Sequence, residues 1–147
     1  MSTDAKLLAQ QWADLKVSRG CWTIDGTFSR GHRYHRVLGG RSMFGGLTLT
    51  VSPAPALSFA EDLDWPHPSI RDEVIQHIWI GVFEALATIR YEFIDDVCVT
   101  LTAVEWSEVD SCAAAFYHCA RECVSTLFTD QKIPVRLKSS WGGPPRP

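Results

Sequence analysis

The run Phe28-Ser29-Arg30-Gly31-His32-Arg33-Tyr34-His35-Arg36-Val37-Leu38-Gly39-Gly40-Arg41-Ser42-Met43-Phe44-Gly45-Gly46-Leu47-Thr48-Leu49-Thr50-Val51 passes from one alternating pattern to another through a glycine-punctuated set of arginines. Just upstream, Trp22, Ile24, Gly26 and Phe28 alternate with Thr23, Asp25, Thr27 and Ser29. Period two with one apolar side is the pattern of a half-buried strand. At the far end Leu47, Leu49 and Val51 alternate with Thr48, Thr50 and Ser52 in the same way. The arginine-rich segment between the two strands reads as a projecting hairpin loop, because its glycines permit positive φ and close backbone approach. Its charge is one-sided. From Gly26 to Ala60 there is no acid, while Arg30, Arg33, Arg36 and Arg41 add four positive charges, and His32 and His35 add more in acid. Such a segment seeks anions, or is a solvated surface.

Downstream, Pro53, Pro55, Pro66 and Pro68 forbid a continuous helix over Ser52 to Pro68 and favour an extended crossing. Ser69 is then placed to cap a helix in which Val74, Ile75, Ile78, Trp79, Val82, Phe83 and Leu86 form a wide apolar stripe. Val97, Val99, Leu101 and Ala103 alternate with Cys98, Thr100, Thr102 and Val104, apolar enough on both sides for a central strand. After a turn-rich Glu105 to Glu108, Asp110 or Ser111 is the expected cap of a second helix carrying Cys112, Phe116, Cys119, Cys123 and Leu127 on one stripe. Upstream, residues 1–20 read as a short helical extension through Leu8, Trp12 and Leu15. Downstream, Ile133 to Leu137 reads as an edge strand and Gly142 to Pro147 as a frayed tail. This order predicts an α+β domain, a small sheet with two long helices on one face.

The whole sequence of 147 residues suits a single domain, 1–147, with a body at 21–129 and a strand and tail at 130–147. With 46% hydrophobic and 21% charged residues it is too apolar for a disordered chain. The net charge of −3 excludes a wholly basic nucleic-acid coat, and the stretch from Glu61 to Asp110 holds twelve acids against Arg71 and Arg90, so any nucleic-acid contact must be local. No run reaches the roughly 18 to 20 apolar residues of a membrane span, and the N-terminus carries Asp4, Lys6, Asp14 and Lys16 where a signal peptide is apolar. The expectation is a cytoplasmic protein whose five cysteines, odd in number and without a Cys-x-x-Cys pair, are reduced thiols.

Ile24-Asp25-Gly26-Thr27-Phe28, then Gly39-Gly40-Arg41 with Phe44-Gly45, resemble the opening of domain IV of bacterial elongation factor G. Glu84-Ala85-Leu86 resembles that domain's helix end and Val99-Thr100-Leu101 its central strand. Val109-Asp110-Ser111 with Ala115-Phe116 resembles the start of its second helix, and Pro134-Val135-Arg136-Leu137 the passage into the next domain. The ordered set, from Trp22 to about Leu127, carries the likeness rather than any one block. The resemblance implies a ribosomal protein S5 domain 2-like fold with a left-handed strand-helix-strand crossover, standing here as a separate domain. It also implies two tip loops that meet RNA in the ribosomal decoding region: a first at Arg30, Arg33, Arg36, Gly39, Gly40, Arg41, Phe44 and Gly45, and a second at Glu105, Trp106, Ser107 and Glu108. The family's histidine at the second tip is Ser107 in this chain, and its acidic neighbours would repel RNA.

No lysine follows a glycine, so the sequence has no phosphate loop of the Gly-Lys-Ser/Thr kind and is not expected to be a self-powered GTPase translocase. Cys112, Cys119 and Cys123 beside His118 invite a metal reading, but their stripe is the helix's core face, which favours packing. Asp95 and Asp96 adjoin, so they face opposite sides of a strand and suit a solvated turn. His32 and His35 have no acid downstream nearby to orient them, which favours surface histidines, and Ser111 lacks a histidine partner. Trp65, Trp106 and Trp141 offer either local packing or base stacking. The expectation is therefore a protein without catalytic residues, metal or cofactor. Its expected partner is the ribosome or structured RNA, or alternatively a protein or small ligand, with neither DNA nor membrane contact.

Overall fold

The computed structural model describes residues 22–88, 94, 96–130 and 135–137; the expected N-terminal helix, the tail, Cys21, Asp95 and Trp141 lie outside them. The chain runs β1 (Trp22–Ile24), β2 (Phe28–Leu38), β3 (Arg41–Pro53), β4 (Ser58–Glu61), α1 (Pro68–Thr88), β5 (Val97–Glu105), α2 (Ala113–Asp130) and β6 (Val135–Leu137). Four strands form a mixed sheet in the order β2-β3-β5-β4, and β1 pairs with β6 in a separate two-stranded sheet. β4 and β5 are parallel, joined through α1, and the other neighbours in the main sheet are antiparallel.

The expected hairpin loop is corrected to strand. β2 and β3 pair residue for residue from Phe28↔Val51 to Leu38↔Arg41, leaving only Gly39 and Gly40 to turn, with φ of 55° and 82°. Positive φ at both central residues is the demand of a two-residue hairpin turn that matches strand twist, and glycine meets it without a Cβ penalty. The alternation is present but is written in polar residues: Phe28, Arg30, His32 and Tyr34 are half-buried while Ser29, Gly31, Arg33 and His35 are exposed. An arginine stem can cover apolar surface as an aliphatic chain does, so charge hides the period. A second correction lies at the start, where the expected single strand from Trp22 to Phe28 breaks between β1 and β2. A third lies in the proline-rich crossing, which contains the short strand β4.

Leu47, Leu49 and Val51 of β3 and Val97, Val99 and Leu101 of β5 point to one face and join the helices in a single core. The α1 stripe is buried as its periodicity requires, with Phe59 of β4 stacked on Trp79 at 4.6 Å and edge-on to Phe83 at 4.7 Å. From α2 come Phe116, Cys119, Ala120, Cys123, Val124, Leu127 and Phe128. The helices meet closely at Gly81, where a Cβ would sit 2.5 Å from the Tyr117 carbonyl oxygen. Pro68 opens α1 and the Ser69 N–H donates to His67 Nδ1 at 3.2 Å, so the cap comes from His67 rather than Ser69. Asp96, expected in a solvated turn, is buried with φ 55°, and its carbonyl accepts the Ala54 N–H at 2.9 Å. No helix among the described residues is long and apolar enough to cross a membrane.

Candidate nucleic-acid interface

The central strand β5 ends opposite Gly46, at Glu105, while β2 and β3 continue to their Gly39-Gly40 turn. The outer part of the hairpin is therefore a two-stranded ribbon reaching past the sheet. Arg36 and Arg41 lie on this outer part, both exposed, and among the described residues neither has an acidic partner. Val37 and Leu38 beside them are also exposed, 62% and 57%.

The two expected tip loops touch at the root of the ribbon. Where β5 stops, the segment 106–112 takes its place along β3: the Phe44 N–H donates to the Asp110 carbonyl at 3.0 Å, and Phe44 and Ser111 form a parallel bridge. Arg33 reaches across to Glu105, with Nε to Oε2 at 2.9 Å and Nη2 to Oε1 at 3.1 Å. That carboxylate raises the pKa of the guanidinium, mainly through the hydrogen bond. Glu105, read from sequence as a repelling acid, is thus spent on Arg33. Gly45 makes the close approach: a Cβ there would lie 3.2 Å from the backbone of Ala115 and Phe116 at the start of α2.

Segment 106–112 holds itself in shape. The Ser107 N–H donates to Ser111 Oγ at 2.8 Å, the Ser111 N–H donates to the Ser107 carbonyl at 3.0 Å, and the Asp110 N–H donates to Ser107 Oγ at 3.4 Å. Asp110 and Ser111, expected to cap α2, instead close this loop, and the first turn of α2 hangs on the Cys112 carbonyl, which accepts the Ala115 N–H at 3.1 Å. Trp106 stacks on Phe116 at 5.8 Å against the core, and Trp65 donates its Nε1–H to Glu61 at 3.0 Å. Both tryptophans pack locally. Glu108 is exposed.

Arg30 stands apart from the tip, on the side of β2 that faces α2. The Cys123 and Cys119 thiols donate to the Arg30 and His32 carbonyls at 3.4 and 3.3 Å, and burial pushes both thiols up to about 12. Further along that side sequence reasoning missed a cluster. His32 lies 3.6 Å from Glu122 of α2, and Tyr34 stacks on His118 at 5.1 Å. The acid nearest His32 is ninety residues away in sequence, so only the spacing of His118 and Glu122, one helical turn apart, hints at it. On the opposite face of the ribbon, Arg33, His35, Phe44, Ser107 and Asp110 line a cavity of about 480 Å³.

No protein-family model matches the chain, and no curated protein matches its sequence. Among solved structures the chain is similar to one titled as the crystal structure of ttk003000868 from Thermus thermophilus, with 20% identity and a TM-score of 0.67. The match covers 78% of this chain and 17% of that one. At this identity the likeness shows the fold, an α+β arrangement consistent with the S5 domain 2-like class. This chain spans under a fifth of the neighbour's length.

Proposed function

We propose that this chain is an elongation factor G domain IV-like module that binds the ribosome or structured RNA through the β2–β3 ribbon and modulates translation without catalysing a reaction. One observation carries the reading: an acid-free ribbon extends past the sheet and holds Arg36 and Arg41 exposed beside a Gly-Gly turn. Guanidinium groups without carboxylate partners are available to phosphates, and a turn lacking side chains lets the backbone approach them closely. The remaining basic residues are less available, since Arg33 is tied to Glu105 and Arg30 faces α2.

The test is binding to ribosomes and to a structured RNA between about 50 and 200 mM salt, conditions over which phosphate contacts lose affinity steeply. Arg36→Ala plus Arg41→Ala is expected to weaken binding and to lower the salt slope by about one for each phosphate that is no longer neutralised. Salt-independent binding, or binding unchanged in the double variant, overturns the reading. A second reading, a protein-interaction module, draws on the exposed Val37 and Leu38 at the same tip. Capture of a partner that survives nuclease treatment and is abolished by Leu38→Ser would favour it.

A further inference from the structure

The cavity between the outer face of the ribbon and the segment 106–112 combines groups that the proposed function does not yet use. One wall is aromatic: Phe44 and His35 face each other across the hairpin, edge-on at 6.4 Å. His35 is held by Ser42 Oγ, 3.1 Å from its Nε2, and Phe44 by its backbone bond to Asp110. The other wall is polar. Among the described residues the Asp110 carboxylate has no hydrogen-bond or ion-pair partner, although its backbone is anchored on both sides. The Ser107 hydroxyl accepts the Asp110 N–H and keeps its own proton to donate. Arg33, paired with Glu105, completes the lining.

We propose that this cavity binds an unpaired guanine base. The inference rests on the RNA reading above and names the base it would select. The Phe44 ring offers a flat ligand a stacking surface, and the Asp110 carboxylate favours a ligand edge that donates. Guanine alone among the four RNA bases presents two adjacent donors, N1–H and N2–H, which the two oxygens of Asp110 accept side by side. Adenine and cytosine set a ring-nitrogen acceptor beside their amino group, and uracil flanks its single N–H with two carbonyls. Each of these turns a lone pair toward the carboxylate and is repelled. Ser107 then donates to the guanine carbonyl. Because the Phe44 N–H is bonded to the Asp110 carbonyl, the backbones that carry the ring and the carboxylate are held together before the base arrives, which reduces the ordering cost of binding.

Backbone-amide NMR titration of the full chain tests this with guanosine, adenosine, cytidine and uridine monophosphates, then with a uridine decamer carrying one guanosine or one adenosine. Guanosine monophosphate is expected to shift the amides of Phe44, Ser107 and Asp110, and to bind about 5- to 100-fold more tightly than the other three. Asp110→Asn, which keeps shape and swaps an acceptor for a donor, is expected to abolish that preference. Phe44→Leu provides a second probe, expected to weaken all bases, so the proposal does not depend on one variant folding. Arg36→Ala plus Arg41→Ala is expected to weaken the decamer far more than the monophosphate and to leave the order of preference among the four monophosphates unchanged. Equal response to all four monophosphates, or a guanine preference that survives Asp110→Asn, overturns the pocket while leaving the ribbon reading in place. A guanosine response that persists when no variant alters decamer affinity overturns the RNA reading instead and leaves a free-nucleotide site.

Discussion

Arg33 on β2 and Glu105 at the end of β5 form a two-bond guanidinium-carboxylate pair across 72 residues of sequence. The pair is exposed, so it fixes geometry more than it stabilises the fold. Its consequence is electrostatic. Four arginines sit on the hairpin, yet this one is neutralised by the very loop that would otherwise repel a polyanion. Glu105→Gln is therefore expected to raise affinity for structured RNA several-fold and to steepen the salt slope by roughly 0.7 to 0.9, as one more phosphate contact becomes possible. Arg41→Ala is expected to do the reverse. Filter binding at two salt concentrations reads both, and a Glu105→Gln protein that binds more weakly would show that Glu105 serves the interface rather than shielding it.

The helices were legible in the sequence because apolar residues at period 3.6 stand out against polar neighbours, as from Val74 to Leu86. The ribbon was not, because its two faces differ in burial without differing in polarity: Arg30 and His32 look inward, Arg33 and His35 outward. β4 escaped notice since four residues between prolines offer too short a pattern. The one-sided charge of the segment was legible from composition, whereas the contacts that sort its arginines were not. Arg33 with Glu105, His32 with Glu122 and Phe44 with Asp110 each join distant residues, and no spacing rule encodes such pairs.

Glu61 of β4 links the sheet to α1. Arg71 donates to both of its oxygens, at 2.7 and 2.8 Å, and Trp65 adds a third bond at 3.0 Å. The Arg71 hydrogen bonds hold its carboxyl below the ordinary 4.5, against a smaller opposing effect of burial. A carboxyl whose folded pKa lies below its unfolded one contributes stability above the unfolded value, and loses it as pH falls through the folded one. Thermal stability is thus expected to drop below about pH 4.5. Glu61→Gln should cost on the order of 1 kcal/mol at pH 7, since the pair is partly exposed, and the gap from the parent should close in acid. A gap that stays constant from pH 7 to pH 3 would remove Glu61 from the acid response.

Gly81 and Gly40 are glycines for different reasons. At Gly81 a methyl group would press on the Tyr117 carbonyl and the Arg121 nitrogen, so the two helices must separate. At Gly40 it would meet nothing within 4 Å, but φ is 82°. Gly81→Ala is expected to lose about 1 to 3 kcal/mol by overpacking, and Gly40→Ala about 1 kcal/mol by backbone strain. Denaturant midpoints separate the two, and a Gly81→Ala protein as stable as the parent would mean that α1 and α2 slide apart without cost.

Cys119 and Cys123 seal α2 against β2 by donating to its carbonyls, and their thiols are fully buried. Burial, the largest influence on both, pushes them up to about 12, so at pH 8 they stay protonated and unreactive. Cys98 and Cys112 are only half-buried. Alkylation at pH 8 followed by peptide mass mapping is expected to label Cys112 and Cys98 long before Cys119 and Cys123. In denaturant the four should react alike. Since Cys119 and Cys123 bond the strand that carries the arginines, their slow labelling measures how often that strand lifts from the helix. Rapid labelling of Cys119 in the native protein would show that the ribbon is not anchored to the core through α2, and an unanchored ribbon would incur an ordering cost on meeting any ligand.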